Sequence, residues 1–245
     1  PHPQVIAHMA GLVDGFDLAS GGELAILQGV GIDGAHISFA GPGKRPREIR
    51  AAIEAGVTLN CESETEAERA LEIGRDLGIQ PKVAVRVNPD FDMRGSGMKM
   101  GGGAKQFGLD AQRVPALIRH LIDGGAQWRG LHIYTGSQTL EADAVIETQG
   151  HVLDLAARIA REVGQPCPAL NLGGGFGIPG EPRRLDAADR RLQLRDSGES
   201  LVVGEPQSLD RLSRAVGVRL VGVRWQGAHS LSERRVRRLV GLIDE

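Results

Sequence analysis

A chain of 245 residues with a net charge of −2 is long enough for one large α/β barrel or two smaller domains, and carries no positive excess that would draw it to nucleic acid or a membrane surface. Two cysteines, Cys61 and Cys167, make no disulfide framework, so a reducing cytoplasm is the default compartment; no apolar run approaches the roughly 20 residues of a membrane span, and no signal peptide is visible. Glycine is frequent, at 35 residues, and aromatics are scarce at 3%, a balance suited to many strand-to-helix turns.

Val5, Ile6, Met9 and Leu12 fall at helical spacing and predict a helix over 3–14, stopped by Asp14-Gly15. Residues 15–19 read as a short strand. Ser20 and Glu23 then form a capping box that opens a helix through about Gly29. A strand over 35–40 turns at Gly41-Pro-Gly43, and a helix over 46–55 leads to the strand 57–61. A second capping box, Ser63 to Glu66, opens a helix to Leu77, followed by the β-branched strand 82–87, which ends at Asn88-Pro89. Residues 90–108 show no apolar period and read as a long loop, of a length that is uncommon unless functional or mobile. Asp110 is placed to cap a helix over 111–123; a strand over 128–134, a helix over about 141–163 and a strand over 168–172 follow.

Strand and helix thus alternate six times, which argues a parallel sheet. A closed (β/α)8 barrel needs eight strands. The expectation is therefore an incomplete barrel whose first strand lies upstream, in a chain that is a fragment. Such a barrel exposes two strand edges and would be oligomeric or poorly soluble by itself. Residues 1–180 form the barrel part. Residues 181–245 form a divergent arginine-rich tail, with a possible strand at 200–203 and possible helices at 208–216 and 230–243.

The most informative stretch is Asn171-Leu-Gly-Gly-Gly-Phe-Gly-Ile-Pro179. Three glycines at a strand end let the backbone turn its N–H groups toward a ligand, and such a nest suits phosphate. The alternative is a tight turn in which they relieve crowding. Active groups of parallel barrels gather at the carboxyl ends of strands. Those ends carry Asp17, Ser20 and Glu23; Arg86 and Asn88; His132, Tyr134, Gly136 and Ser137; and Gly173, Gly174 and Gly175. The inventory suits a phosphorylated, flat, charged cofactor. Glu23 also reads as a helix cap and no more. Arg86, on an apolar strand, needs a partner. His132 alone reads as a hydrogen-bonded core histidine, and Cys61 as inert packing. No spacing suggests a metal site, and no Ser-His-Asp signature or nucleophile elbow appears.

The runs GFDLASGGEL (15–24), ISFAGPGKRPREI (37–49), VRVNPDF (85–91), GSGMKMGGGAKQFG (95–108), GLHIYTGSQ (130–138) and NLGGGFGIP (171–179) resemble the fold-type III pyridoxal-phosphate decarboxylases, the diaminopimelate and ornithine decarboxylase group. The GSGMKMGGG loop and Tyr134 look most like the exosortase-associated bacterial branch. The resemblance implies an incomplete TIM-type barrel of the alanine racemase-like kind, pyridoxal 5′-phosphate as cofactor, an amino-acid substrate and a homodimer. It implies that Gly173, Gly174, Gly175 and Ser137 hold the cofactor phosphate and that Asp17, Glu23 and Arg86 lie near the cofactor. The family stacks a histidine on the pyridine ring; that place is Tyr134 here. The family's Schiff-base lysine has no counterpart: Lys44, Lys82, Lys99 and Lys105 do not match its place, just ahead of a stretch like Pro1-His-Pro3. The resemblance therefore implies decarboxylation by a full-length parent and little turnover by these 245 residues. A non-catalytic regulatory or binding relative and a barrel racemase stay open as alternatives.

Overall fold

The computed structural model of the chain describes residues 2–91, 98–99, 106–137 and 142–173. The described strands are β1 (Phe16–Leu18), β2 (Ile37–Phe39), β3 (Thr58–Cys61), β4 (Lys82–Asn88), β5 (Met98–Lys99), β6 (Leu109–Asp110), β7 (Gln127–Ile133), β8 (Gly136–Ser137) and β9 (Leu170–Asn171). The helices are α1 (Pro3–Met9), α2 (Gly21–Val30), α3 (Pro46–Glu54), α4 (Glu64–Leu77), α5 (Val114–Asp123) and α6 (Ala142–Val163). The sheet runs β1-β2-β3-β4-β7-β9, with every pair parallel and β6 added beside β4. These are the six strands that the alternation predicts, in a curled α/β half-barrel.

Both predicted Ser caps form, but the Glu side chain of each pair reaches the residue before the N-cap instead of the N-cap itself. Ser20 Oγ accepts from Glu23 N at 3.3 Å, and Glu23 Oε2 accepts from Ala19 N at 2.8 Å. Ser63 Oγ accepts from Glu66 N at 3.2 Å, and Glu66 Oε2 accepts from Glu62 N at 3.3 Å. Each Ser satisfies one N–H group that a helix start leaves without a partner, and each Glu fixes the chain entering the helix. Glu48, in the first turn of α3, accepts from Arg45 N and from Gly21 N, both at 2.9 Å, so it ties α3 to the start of α2. Those two bonds hold its carboxyl below the usual range.

Four expectations are corrected at their edges. The first helix stops at Met9 instead of 14, and residues 34–36 form a 3-10 turn before β2. Within the predicted loop 90–108, Met98–Lys99 forms a strand antiparallel to Gly136–Ser137. Asp110 does not cap α5. Its Oδ1 accepts from Asn88 Nδ2 at 3.1 Å, which fastens β6 to β4, and the helix starts later, behind Arg113 with Pro115 in its first turn. The predicted elements at 200–203, 208–216 and 230–243 lie outside the described residues.

Side chains alternate across the sheet with a period of two. One set faces the helices: Leu18, Ile37, Phe39 and Leu59 with α2, α3 and α4, then Cys61, Val83, Val85, Val87, Leu131, Ile133 and Leu170 with α5 and α6, all buried. The other set is mainly polar, Asp17, Ser38, Asn60, Arg86, His132 and Asn171, with the small Ala84 and Gly130 among them. The registers Asp17↔Ser38, Asn60↔Ala84, Arg86↔His132 and His132↔Asn171 set these residues on one face in a belt that steps two residues along the strand between Thr58 and Asn60 and again between Ala84 and Arg86. The sheet curls toward them. Asn171 Nδ2 donates to Asp17 Oδ2 at 2.9 Å, joining the two end strands of the path by their side chains.

Candidate active site

The belt and the loops that leave the carboxyl ends of the strands form one polar network. Asn60 Nδ2 donates to Ser38 Oγ at 2.6 Å. Glu62, one residue past β3, accepts from Arg86 Nη1 at 3.0 Å and from Gly108 N at 3.2 Å, and its Oε1 also accepts from Gly41 N. Glu66 pairs with Lys44 at 2.6 Å, and Lys44 Nζ also donates to Gly41 O at 2.6 Å and Asn60 O at 2.9 Å. Both ends of the Lys44–Glu66 pair are buried, with side-chain exposures of 1% and 6%. Burial raises the Glu66 carboxyl, and the Lys44 cation opposes that shift.

Arg86 has the partner that an apolar strand demands. Its guanidinium lies 4.8 Å from the centre of the Phe107 ring and 5.8 Å from that of Tyr134, both within reach of cation–π attraction. Beside it His132 is buried, and its Nδ1 finds no hydrogen-bond partner among the described residues. Burial, and next the Arg86 cation, hold the imidazole well below its usual range, at about 4, so the ring is neutral near pH 7. His132 is thus a core histidine, as its strand position suggests, but one whose Nδ1 is left open among the described residues.

β7 and β9 are parallel neighbours, so Gly136-Ser137 and Gly173 leave the sheet from the same edge. Gly173 has φ +64°, and its N–H donates to Asn171 Oδ1 at 2.9 Å. A Cβ at this position would lie 2.6 Å from Tyr134 Cδ2, so only glycine lets the backbone and the ring approach this closely. Asp17, Arg86, Tyr134 and Gly173 therefore meet in one region, linked through Asn171 and the two rings. Glu23 stands on the same rim, bonded to Ala19 N and to Ser20 Oγ, the latter at 3.2 Å. Ser137 is placed by its backbone in β8. Gly174 and Gly175 lie outside the described residues.

Lys44, Asn60, Glu62, Phe107 and Asn171 are absent from the candidates that the sequence suggests. Glu62 carries the same signal as the others, a polar residue directly after a strand, but it adjoins Ser63, whose own pattern is that of a helix cap. Both cysteines are free and buried; burial pushes the Cys61 thiol far up and that of Cys167 to about 12, so neither is a poised nucleophile. Among the described residues, no helix is long and apolar enough to cross a membrane.

A curled parallel α/β sheet with a polar inner face and a glycine-bearing carboxyl rim is the architecture of the α/β barrels, whose sites open at the carboxyl ends of the strands. This chain belongs to the pyridoxal-dependent decarboxylases: the family's pyridoxal binding domain matches residues 1–203. Its similarity to L-glutamyl-[BtrI acyl-carrier protein] decarboxylase of Niallia circulans is 36% identity over 169 residues, covering 67% of this chain and 39% of that protein. To diaminopimelate decarboxylase of Neisseria meningitidis it is 35% over 181 residues, 71% of this chain and 43% of the relative. The crystal structure of diaminopimelate decarboxylase from M. jannaschi superposes with a TM-score of 0.66 at 28% identity, over 80% of this chain and 48% of that one. That of the Helicobacter pylori enzyme complexed with L-lysine gives 0.64 at 26%, over 74% and 47%. The chain thus spans less than half the length of these relatives. The family's cofactor is pyridoxal phosphate, and the incomplete TIM-type barrel is the fold shared with these structures.

Proposed function

We propose that the full-length protein decarboxylates an amino acid with pyridoxal 5′-phosphate, and that residues 1–180 supply the cofactor-binding barrel while 181–245 form a divergent tail. The observation that carries this reading is the contact of Gly173 with Tyr134, on neighbouring strand ends beside Arg86. The residues present fit the group. A glycine in the left-handed region with no room for a Cβ suits a backbone that must approach a phosphate. A buried imidazole whose Nδ1 has no partner among the described residues, and a guanidinium near two rings, suit a polar aromatic guest.

Gly173, with Gly174, Gly175 and Ser137, would hold the phosphate; Tyr134 would offer its ring face; Asp17, Glu23 and Arg86 would border the pyridine. When bound, the cofactor supplies a sink for the electron pair left as carboxylate departs as CO₂. The chain's part is to orient and desolvate it. Arg86 brings a fixed positive charge, which Glu62 balances, and Nδ1 of the neutral His132 is open to a hydrogen bond with the guest.

The lysines with described side chains are not placed to carry the cofactor. Lys44 is committed to three acceptors, and Lys82 opens β4 at the far edge, bonded to Gly56 O at 3.1 Å. We expect a polypeptide of these 245 residues to bind the cofactor with little or no turnover. The amino-acid substrate, a homodimer and a cytoplasmic site of action complete the proposal. Support comes from the decarboxylase relatives, the L-lysine complex of a similar structure and two free buried thiols.

Titration of the protein with pyridoxal 5′-phosphate, followed by tryptophan fluorescence, tests the site. Gly173→Ala strains the backbone by about 1–3 kcal/mol and drives a methyl into Tyr134, so binding should weaken about tenfold or more. A wild-type chain that ignores the cofactor, or an alanine variant that binds it equally well, overturns the reading. Release of CO₂ from amino acids by the full-length protein tests the reaction.

A further inference from the structure

We infer that Glu62 is the positioning residue of this rim: its carboxylate fixes the direction of Arg86 and locks two loops around it. The inference rests on the reading of the rim as the cofactor site and adds to it a residue that touches no reacting group. Three features carry it. Glu62 is buried, with a side-chain exposure of 1%, so its charge must be balanced in place. Its acceptors are taken by one donor from each of three elements: Gly41 N after β2, Arg86 Nη1 on β4 and Gly108 N before β6. Each is a hydrogen bond to a charged acceptor, the stronger kind.

The third feature is what those bonds present. Gly108 has φ +72°, and a Cβ there would come within 3.0–3.1 Å of the β4 backbone at Arg86, Val87 and Asn88. This segment therefore lies flat on β4, anchored by Glu62, and its neighbour Phe107 stands 4.8 Å from the Arg86 guanidinium. Tyr134 faces the same guanidinium at 5.8 Å. The Gly41 turn is gripped twice, at its N–H by Glu62 and at its carbonyl by Lys44. Glu62 itself is held by the α4 cap, through its N–H to Glu66 Oε2 at 3.3 Å. Stability alone does not need a carboxylate here, because a buried ion pair is often no better than apolar groups of the same shape. A carboxylate with donors from three rim elements imposes one direction on the cation.

Tyr134 is the chain's single tyrosine, so 3-fluorotyrosine labelling gives one ¹⁹F resonance that reports this spot without the cofactor. Glu62→Gln should shift that resonance by more than its line width, Arg86→Met should shift it too, and Glu62→Gln should add nothing in the Arg86→Met background. Glu62→Asp, which keeps the charge, should stay closer to wild type than Glu62→Gln. An unmoved resonance in Glu62→Gln, or an equal shift with Arg86 absent, overturns the inference. Where Glu62→Gln unfolds, thermal melts decide: the double variant should melt above Glu62→Gln alone, and simple additivity of the two losses overturns the proposal. Glu62→Gln should also weaken pyridoxal 5′-phosphate binding about tenfold, the lower end of what losing an orienting partner costs at metal sites. A wild-type chain without affinity for the cofactor would sink the cofactor reading by itself, and the fluorine experiment would still judge Glu62.

Discussion

The two faces of the sheet are built on opposite rules. The helix-facing side is a continuous apolar layer, Leu59, Val85, Leu131 and Ile133 among others, whose strength lies in area removed from water. The inner side replaces the branched aliphatic layers usual inside such barrels with Asp17, Ser38, Asn60, Arg86 and His132. Its order comes from specific partners and not from volume. Substitutions on the two faces should therefore fail for different reasons and be rescued in different ways.

The sharpest contrast is at Lys44–Glu66. Removing one partner leaves a buried charge, and Lys44→Met should cost about 3–5 kcal/mol in urea unfolding. A second change, Glu66→Leu, should recover much of that loss because no lone charge then remains. If the double variant is as unstable as the single one, the inner face is held by shape after all. On the outer face Leu59, with no exposed surface, should lose about 2–5 kcal/mol as Leu59→Ala, through lost transfer energy and a cavity. No polar second change should rescue it. Refilling the cavity with an apolar side chain should.

The same contrast explains what could be read from the letters. The outer face was legible because period two, capping boxes and glycine stops are local: six strands and both Ser-x-x-Glu caps fall where the pattern puts them. The shorter first helix and the role of Asp110 were not, since Asp110 could either cap the next turn or reach Asn88, and only the pairing of β6 with β4 decides. On the inner face, residue types at strand ends pointed to Asp17, Arg86, Tyr134 and Gly173. The partners that give them direction were invisible. Glu62 to Arg86 spans 24 residues and Asn171 to Asp17 spans 154, and no local pattern encodes such distances.

The smallest effect, and the one most particular to the inner face, is on pH. His132 titrates near 6.5 when exposed and at about 4 in the fold, where burial and the Arg86 cation oppose its charge while Asp17 and Glu62 favour it. Between those values the unfolded chain takes up a proton that the native chain refuses, so acid favours unfolding. This contribution is fully present above pH 6.5, declines as the pH falls through the window and is exhausted below about 4, a loss of about 3 kcal/mol in all. Comparison with His132→Gln isolates it, because the carboxylates titrate in both proteins and cancel in the difference. Urea unfolding from pH 7.5 to 4 should show a constant gap between the two above 6.5 that shifts steadily against wild type below. A gap that does not change with pH would mean that the imidazole titrates in the fold as it does in the unfolded chain, hydrated and not buried. The inner face would then be wet at its centre, and its order would not depend on the pairings seen there.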